Sequence, residues 1–294
     1  MKTTFFFWNI KGISAKHLEN PLKELFVADF PDILLFAECK IKPEVIVDLS
    51  GKRLKPINVA LREKRNKKIG ALSLFASEDN FNLYPFDNSD NGQSMCNILE
   101  AGCKKILLVG VHLPGRLYND RDQQYYDSRR FRGYIDDIEM NHGHKFDSTL
   151  IIGDFNMNPF EIGFVANDGI FAINVENEIA SLQNEKAFFN PMASLTGNFI
   201  YKSNQSKPPG TYFHSYPKYG KHELHWNVLD GVVMRHNILD CFNKDSLEIV
   251  SKIIGQNEIA LFDESQNKII KGFSDHLPVK FSFDFSKPFK NYYK

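Results

Sequence analysis

Eight polar residues stand at or beside the ends of short apolar runs in this sequence, and their types suit acid–base and hard-cation chemistry. Asn9 closes Phe5 to Trp8, Glu38 closes Ile33 to Ala37, and His112 closes Ile106 to Val111. Asp154 and Asn156 follow Leu150 to Ile152, Asp230 lies within Leu229 to Met234, and Asp275-His276 precedes Val279 to Phe283. A core strand has no structural need to finish in a carboxylate, a carboxamide or an imidazole. Taken singly, each has an ordinary reading: Asp154 and Asn156 can make a turn, Asp230 can cap one, and His276 can be a satisfied core histidine.

The elements that must position these groups are readable from hydropathy. The apolar runs, with Ala71 to Phe75, are short and rich in β-branched and aromatic residues, which predicts buried strands. Ala15 to Phe30 places Leu18, Leu22, Leu25 and Phe26 at helix spacing before Pro31, and Asp122 to Met140 is a second helix ended by Asn141-His142-Gly143. Strands and helices interleave without internal repeats or a Ser/Gly/Pro linker, so residues 1–294 are expected to form one mixed α/β domain with two packed sheets. Ser203 to Gly210 and the tail at 286–294 are expected to be the loosest parts.

Composition sets the bounds. Of 294 residues, 43% are hydrophobic and 26 are Phe, enough for a sizeable core. The 36 Lys and Arg equal the 36 Asp and Glu, so any polyanion site must be local. Four cysteines without a Cys-x-x-Cys pair exclude a cysteine zinc site and argue against disulfide scaffolding. No signal-peptide core or membrane-spanning run appears, so a cytoplasmic protein with no membrane contact and no obligate protein partner is expected.

In Trp8-Asn9, Ala37-Glu38-Cys39-Lys40, Gly153-Asp154-Phe155-Asn156, Leu229-Asp230 and Ser274-Asp275-His276-Leu277-Pro278, the chain resembles the endonuclease/exonuclease/phosphatase superfamily of metal-dependent phosphodiesterases, over residues 5 to about 283. The resemblance implies a four-layer α/β/β/α sandwich of two mixed β-sheets flanked by helices, with the site at one end. It also implies a Mg²⁺ ion, for which Mn²⁺ can substitute, held mainly by Glu38 with help from Asn9 and Asp275. Asp154 matches the water-activating aspartate. Asn156, on the same side as Asp154 if the backbone stays extended, matches the phosphate-orienting amide. His276 matches the histidine that faces the phosphate, with Asp230 fixing its tautomer. His112 stands where the repair enzymes usually have tyrosine and the pancreatic-type deoxyribonucleases and sphingomyelinases have histidine, whereas Lys40 resembles the repair branch.

Substrate class is read from the flanking charge. Arg116, Arg121, Arg129, Arg130 and Arg132 follow His112 with Tyr125, Tyr126 and Phe131 among them, and Arg129, Arg130 and Arg132 with Lys40 are the candidates for gripping a nucleic-acid backbone. Asp120, Asp122 and Asp127 can equally pair with the arginines. Arg62, Lys64, Arg65, Lys67 and Lys68 form a second basic run, in which Glu63 is placed as a partner for His112. His214, His222 and His225 lack a cysteine at ligand spacing and read as loop residues. The expected function is a Mg²⁺-dependent phosphodiester hydrolase, a nuclease with DNA favoured. The alternatives are an inositol-phosphate or sphingomyelin-type phosphoesterase, and an inactive binding module on the same scaffold.

Overall fold

A computed structural model describes residues 2–64, 67–77, 81–89, 91–115, 121–182, 186–196, 207–214 and 225–290. The chain runs β1 (Lys2–Asn9), α1 (Ala15–Ala28), β2 (Ile33–Ala37), α2 (Pro43–Leu49), β3 (Lys55–Lys64), β4 (Lys67–Ala76), β5 (Asn82–Asn88), β6 (Ser94–Ala101) and β7 (Lys104–His112). Then come α3 (Arg121–His142), β8 (Ser148–Asp154), α4 (Ile162–Val165), β9 (Ala172–Ile173), α5 (Glu176–Ser181), β10 (Phe188–Phe189), β11 (Tyr212–His214), β12 (His225–Asn227) and β13 (Asp230–Arg235). The last part holds β14 (Phe242–Ile249), two small hairpins, β15 (Lys252–Ile254) with β16 (Glu258–Ala260) and β17 (Phe262–Asp263) with β18 (Lys268–Ile269), and β19 (Val279–Asp284).

Two mixed sheets form, ordered β14-β19-β1-β2-β4-β3 and β5-β6-β7-β8-β13-β10-β9. Strand alternation explains why they stack. Phe5, Phe7, Leu35, Leu74, Leu108, Ile152, Val232 and Phe281 are buried in one cluster shared by the two sheets. The alternate residues of the first sheet, Phe6, Trp8, Leu34 and Phe36, cluster with Leu18, Leu22, Leu25 and Phe26 of α1 and Ile46 of α2. On the second sheet Leu107, Val109, Val111 and Ile151 meet Phe131, Ile135 and Ile138 of α3 and Phe164 of α4. Each fully buried side chain of this kind contributes about 1.5–3 kcal/mol, so every helix is bound by its apolar stripe. The result is the four-layer sandwich that the motifs imply.

Strands that read as continuous apolar runs appear where expected. The strands β3, β5, β6 and β14 carry no such run: β5 at a sheet edge is exposed except for the half-exposed Leu83 and Phe86, and β6 hides Ser94 and Asn97 among its buried positions. The helices span Ala15–Ala28 and Arg121–His142, within two residues of the spacing at each end. The chain end is held as far as it is described: Lys104 donates to the Phe285 carbonyl at 2.9 Å and Lys290 N donates to the Asn237 carbonyl at 2.9 Å. Of the stretch at 203–210, Pro208 to Gly210 are buried and 203–206 lie outside the described residues. All four cysteines are free thiols. No described helix is long and apolar enough to cross a membrane.

Candidate active site

Register assembles the site. Parallel pairing sets His112 beside Asp154, and antiparallel pairing sets Asp154 opposite Asp230, so three polar residues form one row across the ends of β7, β8 and β13. Asn9 arrives from the other sheet and donates Nδ2–H to Asp154 Oδ2 at 2.8 Å. Gly153 makes the row possible: its φ is +157°, and a Cβ there would fall 1.9 Å from the Val111 carbonyl oxygen. Only glycine fits before Asp154.

The segment 274–277 is stitched onto this row. Trp8 Nε1 donates to the His276 carbonyl at 2.9 Å, Ser274 Oγ donates to the Asn9 carbonyl at 2.5 Å, and Leu277 N donates to the Thr211 carbonyl at 2.7 Å. His276 is thereby buried with Nδ1 2.8 Å from Asp230 Oδ2, and the Tyr212 ring lies against its imidazole at 4.8 Å. Asp230 is fixed in turn from its backbone, because Thr211 Oγ1 accepts from the N–H groups of Leu229 and Asp230.

Burial and charge then set the protonation states. For Asp154, burial and the neighbouring Asp230 carboxylate outweigh His276 and the Asn9 and Asn156 donors, and lift the carboxyl to about 7. For His276, burial works against the charge, but the Asp230 carboxylate, with Asp154 and Asp275 behind it, raises the imidazole to about 10. At neutral pH the site therefore holds a cationic imidazole beside a carboxyl poised to exchange a proton. Asp154, Asp230 and His276 offer donor atoms within 4.8 Å of one another, yet an imidazolium has no free lone pair and Nδ1 is engaged by Asp230. With His276 protonated, the trio offers a cation only carboxylate oxygens.

A hard cation fits better nearby. Glu38 ends β2 at φ +51° with its carboxylate 43% exposed and Oε1 3.7 Å from His112 Nε2. His112 Nε2 is also 3.9 Å from Asp154 Oδ2, so this imidazole sits between two carboxylates. Asn9 Oδ1 accepts from Lys11 N, and Asp275 Oδ1 is buried without a hydrogen-bond partner. The oxygen donors of Glu38 and the Asn9 carboxamide suit a hard cation such as Mg²⁺ or Mn²⁺.

Other expected residues are placed differently. Asn156 does not continue an extended strand: it adopts φ +53°, its N–H donates to Asp154 Oδ1 at 2.8 Å, and its Nδ2 donates to the Leu113 carbonyl at 2.8 Å. The amide stays beside Asp154 through this turn instead of through strand alternation, which corrects the extended-backbone premise. Arg132 is buried, with Nε 2.8 Å from Asp136 Oδ2 and a guanidinium N–H on the Ile170 carbonyl. Arg129 pairs with Asp168 at 3.1 Å, and Arg130 lies exposed near the Tyr126 ring. The structure thus spends Arg129 and Arg132 on holding α3 to the loop after α4. The end of α3 nearest the site is its first turn, where Gln124 donates to the Asn156 carbonyl at 2.7 Å.

Lys40 is exposed and lies against Gly12, where a Cβ would come within 2.6 Å of its Nζ. Arg65, Arg116, Asp120 and His222 lie outside the described residues, as do the side chains of Arg62, Glu63, Lys64, Lys67, Lys68 and His214. His225 is exposed and bonded to Asn227. Sequence reading missed Lys11, whose ammonium pairs with Asp275, along with Tyr212 and Thr211. Lys11 was legible in Asn9-Ile10-Lys11-Gly12 as a cation two residues past a strand end. Tyr212 and Thr211 carry no sequence signal of their own, since only the fold brings residue 212 to 276.

No family model and no curated protein matches the sequence. Solved structures do match. An endonuclease/exonuclease/phosphatase family protein from Bacteroides thetaiotaomicron superposes with a TM-score of 0.58 at 12% identity over 99% of each chain. The mannosyl-6-phosphatase Bt3783 of B. thetaiotaomicron gives 0.57 at 12% identity, over 96% of this chain and 99% of its own. TDP2 of D. rerio, in complex with a single-strand DNA product, gives 0.55 at 10% identity over 96% and 99%. At such identities the likeness is one of fold.

Proposed function

We infer that this chain, whose fold is that of the endonuclease/exonuclease/phosphatase proteins, is a metal-dependent hydrolase of phosphate esters that uses Asp154 as the base for water. The observation that carries the reading is the juxtaposition of Asp154, Asp230 and His276, three buried titratable groups on one end of the sandwich, with one carboxyl near 7 and one imidazole near 10. A general base works best when its pKa lies close to the working pH, and a permanent imidazolium suits a phosphate oxygen that gains charge. Bland structural roles do not account for an acid raised into the neutral range next to a second carboxylate.

In this reading Asp154, aligned by the Asn9 and Asn156 N–H donors, takes the proton of the attacking water. The His276 Nε2–H, fixed by Asp230 at Nδ1, donates to a phosphate oxygen, and His112 supports the same region from between Glu38 and Asp154. Glu38, with Asn9 beside it, would hold Mg²⁺ or Mn²⁺, and Asp275, whose Oδ2 pairs with Lys11, stands at the edge of that site. When bound, that ion supplies positive charge to a non-bridging phosphate oxygen and acidifies water. Asn156 keeps an amide N–H beyond its bond to Leu113, which in this reading would orient the phosphate.

For substrate we favour a nucleic-acid phosphodiester, DNA first, supported by Lys40 at the rim and by the fold that a TDP2 with a DNA product shares. A compact phosphate ester is the second reading, favoured by the engagement of Arg129 and Arg132 away from the site and by the fold shared with a mannosyl-6-phosphatase. Purified protein with Mg²⁺, Mn²⁺ or chelator, assayed on plasmid, single-stranded DNA, RNA, an abasic duplex, inositol phosphates and sugar phosphates, separates them. Full activity in excess chelator, or no hydrolysis of any of these esters, would overturn the inference.

A further inference from the structure

Lys11 sits two residues beyond β1 in the left-handed region, at φ +46°, with its N–H on Asn9 Oδ1 at 3.0 Å. This turn carries its side chain across the mouth of the site, where the ammonium pairs with Asp275 Oδ2 and lies in the field of Glu38 and the Tyr212 phenol. A non-glycine residue held in this conformation is disfavoured, and the surrounding contacts must offset that cost. Among the described residues, four carboxylates line the site: Glu38, Asp154, Asp230 and Asp275. Asp230 has the His276 imidazolium at 2.8 Å, Asp154 accepts the Asn9 and Asn156 N–H groups, and Asp275 has Lys11. Glu38 is the most exposed of the four, and His112 Nε2 stands 3.7 Å from its Oε1.

We propose that Lys11 is a resident counter-ion that takes one cation's place in this carboxylate ring, so that the site binds a single divalent ion at Glu38 while Asp275 serves Lys11. The proposal deepens the metal-dependent reading above and rests on it. An ammonium fixed on Asp275 repels a dication brought to the same carboxylate and screens Asp275 from an ion at Glu38. At separations of several ångströms in a partly solvated site, that repulsion weakens dication binding on the order of tenfold or more.

The test measures metal binding to the apo protein, independent of turnover, by calorimetric Mn²⁺ titration and by the paramagnetic resonance signal of free Mn²⁺. Wild type is expected to take one ion per chain. Lys11→Met should bind it about tenfold or more tightly or admit a second ion, whereas Lys11→Arg, which keeps the charge, should behave as wild type. Asp275→Asn alone should change the affinity by less than about threefold, and in the Lys11→Met background it should abolish the gain. Two ions on wild type, no change in Lys11→Met, or a tenfold loss in Asp275→Asn would each overturn the proposal while leaving the hydrolase reading intact. No Mn²⁺ binding by wild type, with Glu38 in place, would overturn both. Should Lys11→Met fail to fold, wild-type stoichiometry and Asp275→Asn still decide.

Discussion

Asp154 and Asp230 stand directly opposite each other on adjacent antiparallel strands, both buried, in a pairing where like charges destabilise the sheet. The conflict is resolved chemically: Asp230 takes the imidazolium of His276, and Asp154 keeps its proton up to about 7. A sheet under selection for stability alone would not place these two residues in register.

The pH dependence of kcat/KM should be bell-shaped. Asp154 must lose its proton, so the rate rises through about pH 7, and His276 must keep its proton, so the rate falls through about pH 10. A profile flat between pH 6 and 8 would remove Asp154 from the role of base.

Stability should fall as pH rises across the same range. Asp154 has a folded pKa above its ordinary 3.8, so the folded state binds the extra proton between about 4 and 7 and loses stability across that window. His276 has a folded pKa above 6.5, so its contribution is complete below 6.5 and is lost as pH rises through about 10. Asp154→Asn, which removes the first penalty, should melt about 2–4 °C above wild type at pH 8 and lose activity on the order of 10²-fold or more.

Glu38→Gln keeps side-chain volume and deletes the charge at a half-exposed position. It should abolish Mn²⁺ binding and hydrolysis while the melting temperature stays within about 2 °C of wild type. Normal turnover by this variant would move the metal elsewhere.

Asp230→Asn leaves the histidine in place but removes the carboxylate that charges it. The alkaline limb of the profile should move down toward neutrality, and kcat should fall on the order of 10²-fold, more than KM changes. An unmoved alkaline limb would show that another group titrates there.

Arg132→Met should cost about 2 kcal/mol of stability through the lost Asp136 and Ile170 contacts, with kcat per folded molecule unchanged. Arg129→Ala should leave both the rate and its salt dependence as in wild type. A smaller salt slope for either variant on DNA would return that arginine to the substrate surface.

How much of this was legible in the sequence depends on where each signal is carried. Strands such as Ile33–Ala37 and Ser148–Asp154 are buried on both faces, so they read as uninterrupted apolar runs and betray the polar residue that ends them. Edge strands such as Asn82–Asn88 bury one face weakly and gave no run. Composition offered the arginines of α3 as a basic surface, but helix rotation turns Arg132 inward, and Asp168, 39 residues past Arg129, pairs with it across the fold. Asn156 was placed beside Asp154 for a backbone reason that its positive φ replaces. Lys11 shows the reverse case, a local signal whose partner lies 264 residues away.

Trp8 reaches His276 across 268 positions of sequence, and Ser274 returns to Asn9 across 265. During synthesis, then, the first strand waits with its polar end open until the ribosome has released almost everything that follows. Chain segments that stop short of residue 274 contain every strand of the second sheet, yet they hold neither the imidazole nor the seam that seats it. Contacts of such separation form late. A nascent or prematurely terminated chain therefore lacks the row's last members, and the full constellation is assembled only once translation has run past residue 276.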